Sequence, residues 1–259
     1  MIFEEEFAMN EIITLFFFIF GLVFGSFFNV VGLRIPKKES IVYPNSHCTK
    51  CHHELSWYEN IPVLSYIFLR GRCRVCKARI SPIYPVMELV TGILFAFSFH
   101  QFGWTFETVI AVLLCSLLVI ITVSDIAYMI ISDKVLLFFL IVFLILRMIY
   151  PLSPWWDAGL AAVLGFGILY LLAVVSRGGM GGGDIKLFFV LGLVLGTKAT
   201  LMTLFLASLV GAVFGLGFIL MKGYQKRIPI PFGPFISIGA IIAYFYTDSL
   251  IQWYLGMFF

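Results

Sequence analysis

Eight apolar runs, separated by short polar or glycine-rich connections, dominate the pattern of hydrophobic and polar positions along the chain. Because a helix rises about 1.5 Å per residue, roughly 20 apolar residues cross the hydrocarbon core of a bilayer. The pattern therefore predicts an all-α polytopic membrane protein with about eight transmembrane helices. The predicted spans are Ile12–Val31, Pro85–Phe99, Thr105–Val123, Val135–Tyr150, Ala158–Val175, Ile185–Leu195, Ala199–Met221 and Phe235–Leu255.

Composition favours the same class of protein. The chain is 61% hydrophobic and 12% charged, whereas a soluble domain carries about 25% charged residues. The first run follows acidic residues at positions 4–6, not the basic start of a signal peptide, and it is long enough to span. We therefore expect a retained first helix.

Only Gly196, Thr197 and Lys198 separate the sixth and seventh runs. A continuous helix from 185 to 221 would be about 55 Å long, too long for one crossing of a core of roughly 30 Å. We therefore predict two helices with a break between them.

The distribution of basic residues predicts the orientation. With the N-terminus outside, fifteen of the seventeen Lys and Arg residues fall in cytoplasmic connections, and only Arg147 and Lys198 do not. Cytoplasmic loops of membrane proteins are enriched in these residues. We expect a multi-pass membrane protein with its N-terminus outside and these connections in the cytoplasm.

Residues 34–84 form a cytoplasmic insertion that carries four of the five cysteines. Cys48 and Cys51 form one CxxC pair, and Cys73 and Cys76 form the second. Two such pairs at this spacing are typical of a structural zinc site with four thiolate ligands. The metal would staple a domain too small to build its own core.

Three alternatives for these cysteines stay open on sequence. The pairs could form two disulfides, which a reducing cytoplasm disfavours. The segment from Cys48 to His52 also matches the CxxCH haem-attachment pattern. Finally, His47, His52 or His53 could replace one thiolate ligand. Cys115 lies inside a span and is expected to be a buried small side chain.

Two carboxylates mark the ends of predicted spans. Asp125 closes the third span and Asp184 opens the sixth, and the predicted topology brings both to the cytoplasmic face. Ionisable groups in or near spans are costly, so they are functional candidates. If the two converge, they can share one proton and act as a general acid–base pair on a peptide bond.

Glycines fill five of the six positions from 178 to 183 and include Gly182 and Gly183. A backbone without Cβ atoms can pass close to a substrate or another helix. The alternative is a flexible turn in which Asp184 only caps the following helix. Asp133 is expected to be such a cap. Glu88, in the second span, is a candidate supporting residue for either site.

The ordered set of motifs resembles the type IV prepilin peptidases. Residues 25–36 resemble the signature of the family's first helix, and the two CxxC pairs follow. Residues 125–133 resemble the stretch that holds the first catalytic aspartate. Gly182, Gly183 and Asp184 resemble the GxGD-type motif that holds the second, with Lys186 two residues later.

The resemblance implies a bifunctional enzyme with Asp125 and Asp184 as catalytic residues. Such an enzyme removes the basic leader of prepilin or pseudopilin precursors at the cytoplasmic membrane face. It then methylates the new N-terminal residue with S-adenosylmethionine, for which no binding residues are assigned. Pilus, secretion or competence systems use the products. We expect no nucleic-acid partner.

These expectations divide the chain into a first transmembrane helix (1–33), a four-cysteine zinc domain (34–84) and a seven-helix aspartic protease domain (85–259). An ion transporter with a zinc-stapled loop and a non-enzymatic assembly subunit are the rival interpretations. A membrane metalloprotease of the HExxH class is excluded, because the sequence contains no such motif.

Overall fold

The fold is described from a computed structural model, for residues 2–177, 179–222 and 230–258. Gly178, from the glycine-rich run, lies outside these residues, as do Lys226 and Arg227, two of the predicted cytoplasmic cations. In the described part of the chain, the helices are α1 (Ile2–Arg34), α2 (Leu64–Phe68), α3 (Ile83–Phe102), α4 (Phe106–Tyr128), α5 (Asp133–Ile149), α6 (Asp157–Val175), α7 (Gly182–Lys222) and α8 (Gly233–Phe258), with one 3-10 turn at Trp57–Asn60.

Six of these helices have the length and apolarity needed to cross a bilayer: α1, α3, α4, α6, α7 and α8. The 17-residue α5 is similarly apolar, and the 41-residue α7 is broken at Gly196. The described residues therefore contain eight apolar helical segments, one for each predicted span. This confirms an all-α polytopic membrane protein.

The chain reverses at Gly196 within α7. This residue has φ 76° and ψ 173°, which no helix contains. A Cβ added to Gly165 of α6 would lie 2.9 Å from the Phe188 carbonyl oxygen and 3.2 Å from Thr200 Cγ2. A straight helix would separate residues 188 and 200 by roughly 18 Å. Both halves of α7 therefore pack against the same part of α6, and the predicted break is confirmed.

Two charged side chains stabilise this reversal. The buried Arg147 of α5 donates from Nη2 to the Val194 carbonyl oxygen at 2.7 Å, near the end of the first half of α7. Asp157 of α6 accepts hydrogen bonds from the Thr197 N–H at 3.0 Å and the Thr197 hydroxyl at 2.6 Å. Arg147 thus lies at the C-terminus of the first half of α7, and Asp157 lies at the N-terminus of the second half. Both charges interact favourably with the helix dipoles.

The chain forms two compact units, Met1–Val123 and Ser124–Phe259. In the first unit, α1 and α3 pack closely because glycines face the partner backbone. A Cβ at Gly21 would lie 2.7 Å from the Thr91 carbonyl oxygen, and one at Gly25 would lie 2.7 Å from Glu88 Cα. Small residues of this kind let membrane helices approach each other. The division into residues 1–33, 34–84 and 85–259 stays a prediction.

In the second unit, α7 packs on α6 and α8. A Cβ at Gly239 of α8 would lie 2.8 Å from the Thr203 carbonyl oxygen and 2.9 Å from the Ala207 nitrogen. The second half of α7 therefore contacts α8 through backbone. Many large apolar side chains of this unit are exposed, among them Leu137, Phe205 and Phe214, as expected for surfaces that face lipid.

We expect Asp157→Ala to lower the free energy of unfolding by about 2 kcal/mol, because Thr197 loses both of its hydrogen bonds to a charged group. Thermal unfolding of the purified protein in detergent measures the change. Asp248→Ala, at an exposed position of α8, is the matched control. Equal transitions for the two variants would contradict the role given to Asp157.

Candidate functional site

Asp125, in the last turn of α4, lies at the start of α8. Its Oδ2 accepts a hydrogen bond of 2.7 Å from the backbone N–H of Gly233, the first residue of that helix. The Asp125 side chain is buried, and the residue is 6% exposed. A Cβ at Gly233 would lie 2.8 Å from the same carboxylate oxygen, so a larger residue there would displace Asp125.

Asp184 is the third residue of α7, and it is half-buried. It lies close enough to Asp125 for the two carboxylates to interact electrostatically. The structure thus brings together two aspartates that are 59 positions apart in the sequence. Asp125 is buried and Asp184 is partly accessible, so a water molecule or a peptide can approach the pair from the Asp184 side.

Two helix N-termini meet at this pair of aspartates. Asp184 belongs to the first turn of α7, and Gly233 begins α8. Helix N-termini carry partial positive charge and backbone N–H groups without helical partners, so they stabilise nearby carboxylates. The arrangement allows two acids to lie together at the end of apolar helices, where a lone carboxylate would be costly.

The glycines before Asp184 allow close packing at one position and leave space at another. A Cβ at Gly183 would lie 2.7 Å from Ile131 Cβ, in the connection between α4 and α5. A Cβ at Gly182 would have no atom within 4 Å. Gly183 therefore lets the start of α7 approach the connection that follows Asp125, while Gly182 borders open space.

Lys186 forms an ion pair that the sequence did not indicate. Its Nζ lies 2.8 Å from each of the two carboxylate oxygens of Asp133, the first residue of α5. The predicted capping role of Asp133 is wrong, because Ser132 occupies the N-cap position. Both partners are exposed, so this contact between the start of α7 and the start of α5 adds little stability.

Glu88 lies in the first unit and fixes the loop between α1 and α3. Its Oε2 accepts a hydrogen bond of 2.7 Å from the backbone N–H of Val63. Val63 has φ 61°, an unfavourable conformation for a β-branched residue, and it directly precedes α2. Glu88 thus holds the start of α2 in position. Its predicted support of a catalytic site stays a prediction.

The four cysteines of the loop form one cluster. Sulfur atoms of Cys48, Cys51, Cys73 and Cys76 all lie within 4.8 Å of one another, which suits a single metal ion. The Cys48–Cys76 and Cys51–Cys73 sulfurs are 3.7 and 3.8 Å apart, whereas a disulfide bond measures about 2.05 Å. The cysteines are free, so the alternative of two disulfides is not what the structure contains.

The two CxxC segments have the same backbone geometry, a repeat that the sequence analysis missed. In each, the N–H four residues after the first cysteine donates to that cysteine's carbonyl oxygen, from His52 to Cys48 and from Lys77 to Cys73. The donor residue has a positive φ in both, 56° and 58°. Antiparallel bridges join positions 47 and 54, and 72 and 79. Two equivalent turns therefore present the four sulfurs.

Two of the three histidines near the cluster, His47 and His53, have other partners. His47 Nδ1 lies 2.9 Å from the Asn45 carbonyl oxygen, and His53 Nε2 lies 3.2 Å from Glu59 Oε2. Burial opposes ionisation of Glu59, but hydrogen bonds from the Ser56 N–H and the His53 ring lower the pKa of its carboxyl below the usual value. Hydrogen bonds from the backbone of Cys51 and Lys50 lower the pKa of Cys48 to about 6, whereas, despite a hydrogen bond from the His53 backbone, burial and the other three thiols raise the pKa of Cys51 to about 11. Without a metal ion, the cluster therefore favours one thiolate, on Cys48.

We expect Gly183→Ala to destabilise the second unit by about 2 kcal/mol, because its methyl group would overlap Ile131 in a packed contact. Gly182→Ala adds the same methyl group in open space and should change stability by less than about 0.5 kcal/mol. Thermal unfolding of both variants in the same detergent tests the difference. The reverse order would show that the start of α7 does not pack on residue 131.

The chain matches known proteins along most of its length. Residues 19–102 match the bacterial peptidase A24 N-terminal domain, and residues 112–216 match the type IV leader peptidase family. The prepilin leader peptidase/N-methyltransferase of Bacillus subtilis (strain 168) is 45% identical over 240 residues, which cover 93% of this chain and 97% of that protein.

Two further relatives carry the same name. The protein from Aeromonas salmonicida (strain A449) is 35% identical over 269 residues, with 92% of each chain covered. The protein from Pseudomonas aeruginosa is 33% identical over 263 residues, with 91% of each chain covered. No solved structure matches the chain. The extent and identity of these matches show that the chain belongs to the type IV leader peptidase family.

Proposed function

We propose that this protein cleaves the leader peptide from type IV prepilin-like precursors and then methylates the new N-terminal amine. The observation that carries the proposal is the meeting of Asp125 and Asp184 at the start of α7 and α8. The names of relatives that align with more than nine-tenths of the chain support both activities.

In the proposed cleavage, the two aspartates share one proton. The ionised carboxylate removes a proton from water, and the resulting oxygen attacks the scissile carbonyl carbon. The protonated carboxyl polarises the carbonyl oxygen, and a proton then passes to the leaving amine as the C–N bond breaks. Because Oδ2 of Asp125 already accepts a hydrogen bond from the Gly233 N–H, we assign the water molecule or the shared proton to Oδ1.

The proposed site faces the cytoplasm. The basic residues of the connections support this orientation, because cytoplasmic loops are enriched in Lys and Arg. A basic leader stays on the same side by the same rule, while the apolar helix of the precursor enters the bilayer. The scissile bond would then lie at the level of the helix ends that hold Asp125 and Asp184.

Zinc is the proposed ion of the four-cysteine cluster. A zinc–sulfur bond is about 2.3 Å long, so sulfurs at the corners of a tetrahedron lie about 3.8 Å apart. The Cys48–Cys76 and Cys51–Cys73 sulfur distances of 3.7 and 3.8 Å agree with that geometry. Four thiolates close the coordination shell, so the site is structural. S-adenosylmethionine is the proposed methyl donor, because the relatives are named N-methyltransferases.

We expect Asp125→Asn and Asp184→Asn each to lower the rate of leader release by about 10³-fold or more, because one carboxylate cannot perform both proton transfers. Mass spectrometry of a synthetic prepilin incubated with the purified protein measures the release. Asp248→Asn, on the exposed surface of α8, is the control and should retain the normal rate. Near-normal cleavage by either active-site variant would exclude that residue from catalysis.

We expect Cys73→Ser to remove bound zinc, because it takes one of four ligands from a buried position. Cys115→Ser makes the same substitution at a buried site outside the cluster and should retain one equivalent of zinc. Elemental analysis measures the metal. The resemblance to the type IV prepilin peptidases associates this loop with methylation, so S-adenosylmethionine-dependent gain of one methyl group should fail with Cys73→Ser, while leader release continues. Full zinc content in Cys73→Ser would refute the assignment.

A further inference from the structure

A cleft of about 530 Å³ lies on the loop domain beside Cys73, and most of its lining is cationic. Arg70, Arg72, Arg74 and Lys77 line it together with Phe68. The loop from 34 to 84 has nine basic and three acidic residues, and Cys73 of the four-cysteine cluster also lines the cleft. Four thiolates around a zinc ion carry a net charge of 2−, so the four cations of the cleft would still leave an excess of positive charge. Four cations on one concave surface repel one another unless an anion lies between them.

An exposed apolar face lies next to this cleft. Leu64, Ile67 and Phe68 of α2 are 52%, 62% and 81% exposed. Their spacing of three and four residues puts them on one side of the helix. An apolar helix face beside clustered Arg and Lys is typical of segments that lie in the interface of a membrane.

The chain keeps this surface at the edge of the bilayer. Before the loop, α1 ends at Arg34, and after the loop, α3 begins at Ile83; both are candidate membrane spans. The start of α2 is tied to α3 by the hydrogen bond from the Val63 N–H to Glu88. The loop therefore cannot move far from the lipid headgroups, whichever side of the membrane it occupies.

We propose that the cleft of Arg70, Arg72, Arg74 and Lys77 binds the phosphate group of an anionic glycerophospholipid, while the exposed face of α2 contacts its acyl chains. Guanidinium groups bind phosphate oxygens through paired, charge-assisted hydrogen bonds. An anionic lipid matches both halves of the surface, because its phosphate is joined to apolar chains. A free phosphate would match only the cationic half. This binding does not depend on the proposed peptidase activity.

The first experiment uses the unmodified, full-length protein. Native mass spectrometry of the detergent-solubilised protein should detect bound phosphatidylglycerol. The lipid concentration needed for this should be about tenfold lower than that needed for phosphatidylcholine with the same acyl chains. Glycerol phosphate, added at the same concentration, should not displace the lipid, because it lacks the acyl chains that contact α2. Equal retention of the two lipids, or displacement by glycerol phosphate, would overturn the proposal.

The second experiment compares two variants that remove the same charge from the same loop. Arg70→Gln/Arg72→Gln changes the cleft, and Lys37→Gln/Lys38→Gln changes two lysines that do not line it. Only the cleft variant should lose most of the roughly tenfold preference for phosphatidylglycerol over phosphatidylcholine. Its thermal transition should not change. An equal loss of lipid preference in both variants would show that the preference arises from the overall charge of the loop, which would also overturn the proposal.

The apolar half of the site has its own test. Phe68→Ser should weaken retention of phosphatidylglycerol several-fold without changing the number of cations in the cleft. The side chain is 81% exposed, so its loss should not disturb the fold. Unchanged retention would show that α2 does not contact the lipid, and the proposed two-part site would be wrong.

Discussion

The second unit depends on one constraint: a carboxylate at the end of an apolar helix needs backbone donors and a positive field beside it. Asp125 obtains its donor from Gly233, and Asp184 lies in the first turn of α7. The end of α4 and the starts of α7 and α8 must therefore lie on the same side of the membrane. After α4, the chain crosses the membrane through α5 and crosses back through α6, so α7 begins on that side. The chain must then cross the membrane twice more before α8 begins there. The reversal at Gly196 provides this second return, so the contact between Asp125 and Gly233 requires the break in α7.

The reversal in turn depends on side chains remote in sequence from both aspartates. Arg147 binds a carbonyl oxygen before the break, and Asp157 binds Thr197 after it. At Gly196, an added Cβ would contact Asp157 Oδ2, so glycine is needed there both for the backbone conformation and for the approach of the capping carboxylate. A polar network on α5 and α6 thus determines where α8 begins. The position of α8 in turn decides whether the Gly233 N–H reaches Asp125. The contacts of Arg147 and Asp157 therefore support the hydrogen bond between Gly233 and Asp125.

The sequence predicted the spans well because apolar run length is a local property that the bilayer thickness constrains. It predicted the break in α7 for the same reason, and the four-cysteine cluster because ligand spacing is also local. Contacts between remote segments could not be predicted in this way. Lys186 was singled out only by its position after Asp184, and nothing in the sequence shows that it pairs with Asp133. Asp157 looks like an ordinary boundary residue until the fold brings Thr197 to it. Glu88 was singled out as a carboxylate inside a span, but the sequence does not show that its partner is the Val63 N–H in the loop.

The loop domain shows how few contacts fix a segment that has almost no buried core. Cys73 is its one buried apolar residue, and Glu59 is its one buried carboxylate among the described residues. Two equivalent turns direct four sulfurs to one point, so a bound metal would replace the missing core as the main source of order. The hydrogen bond from Val63 to Glu88 then orients α2 from the membrane side. With the cluster at one end and α3 at the other, Leu64, Ile67 and Phe68 stay exposed because no part of the small domain can cover them. In the proposed binding mode, the acyl chains of a bound lipid cover these side chains, and the adjoining arginines bind its phosphate.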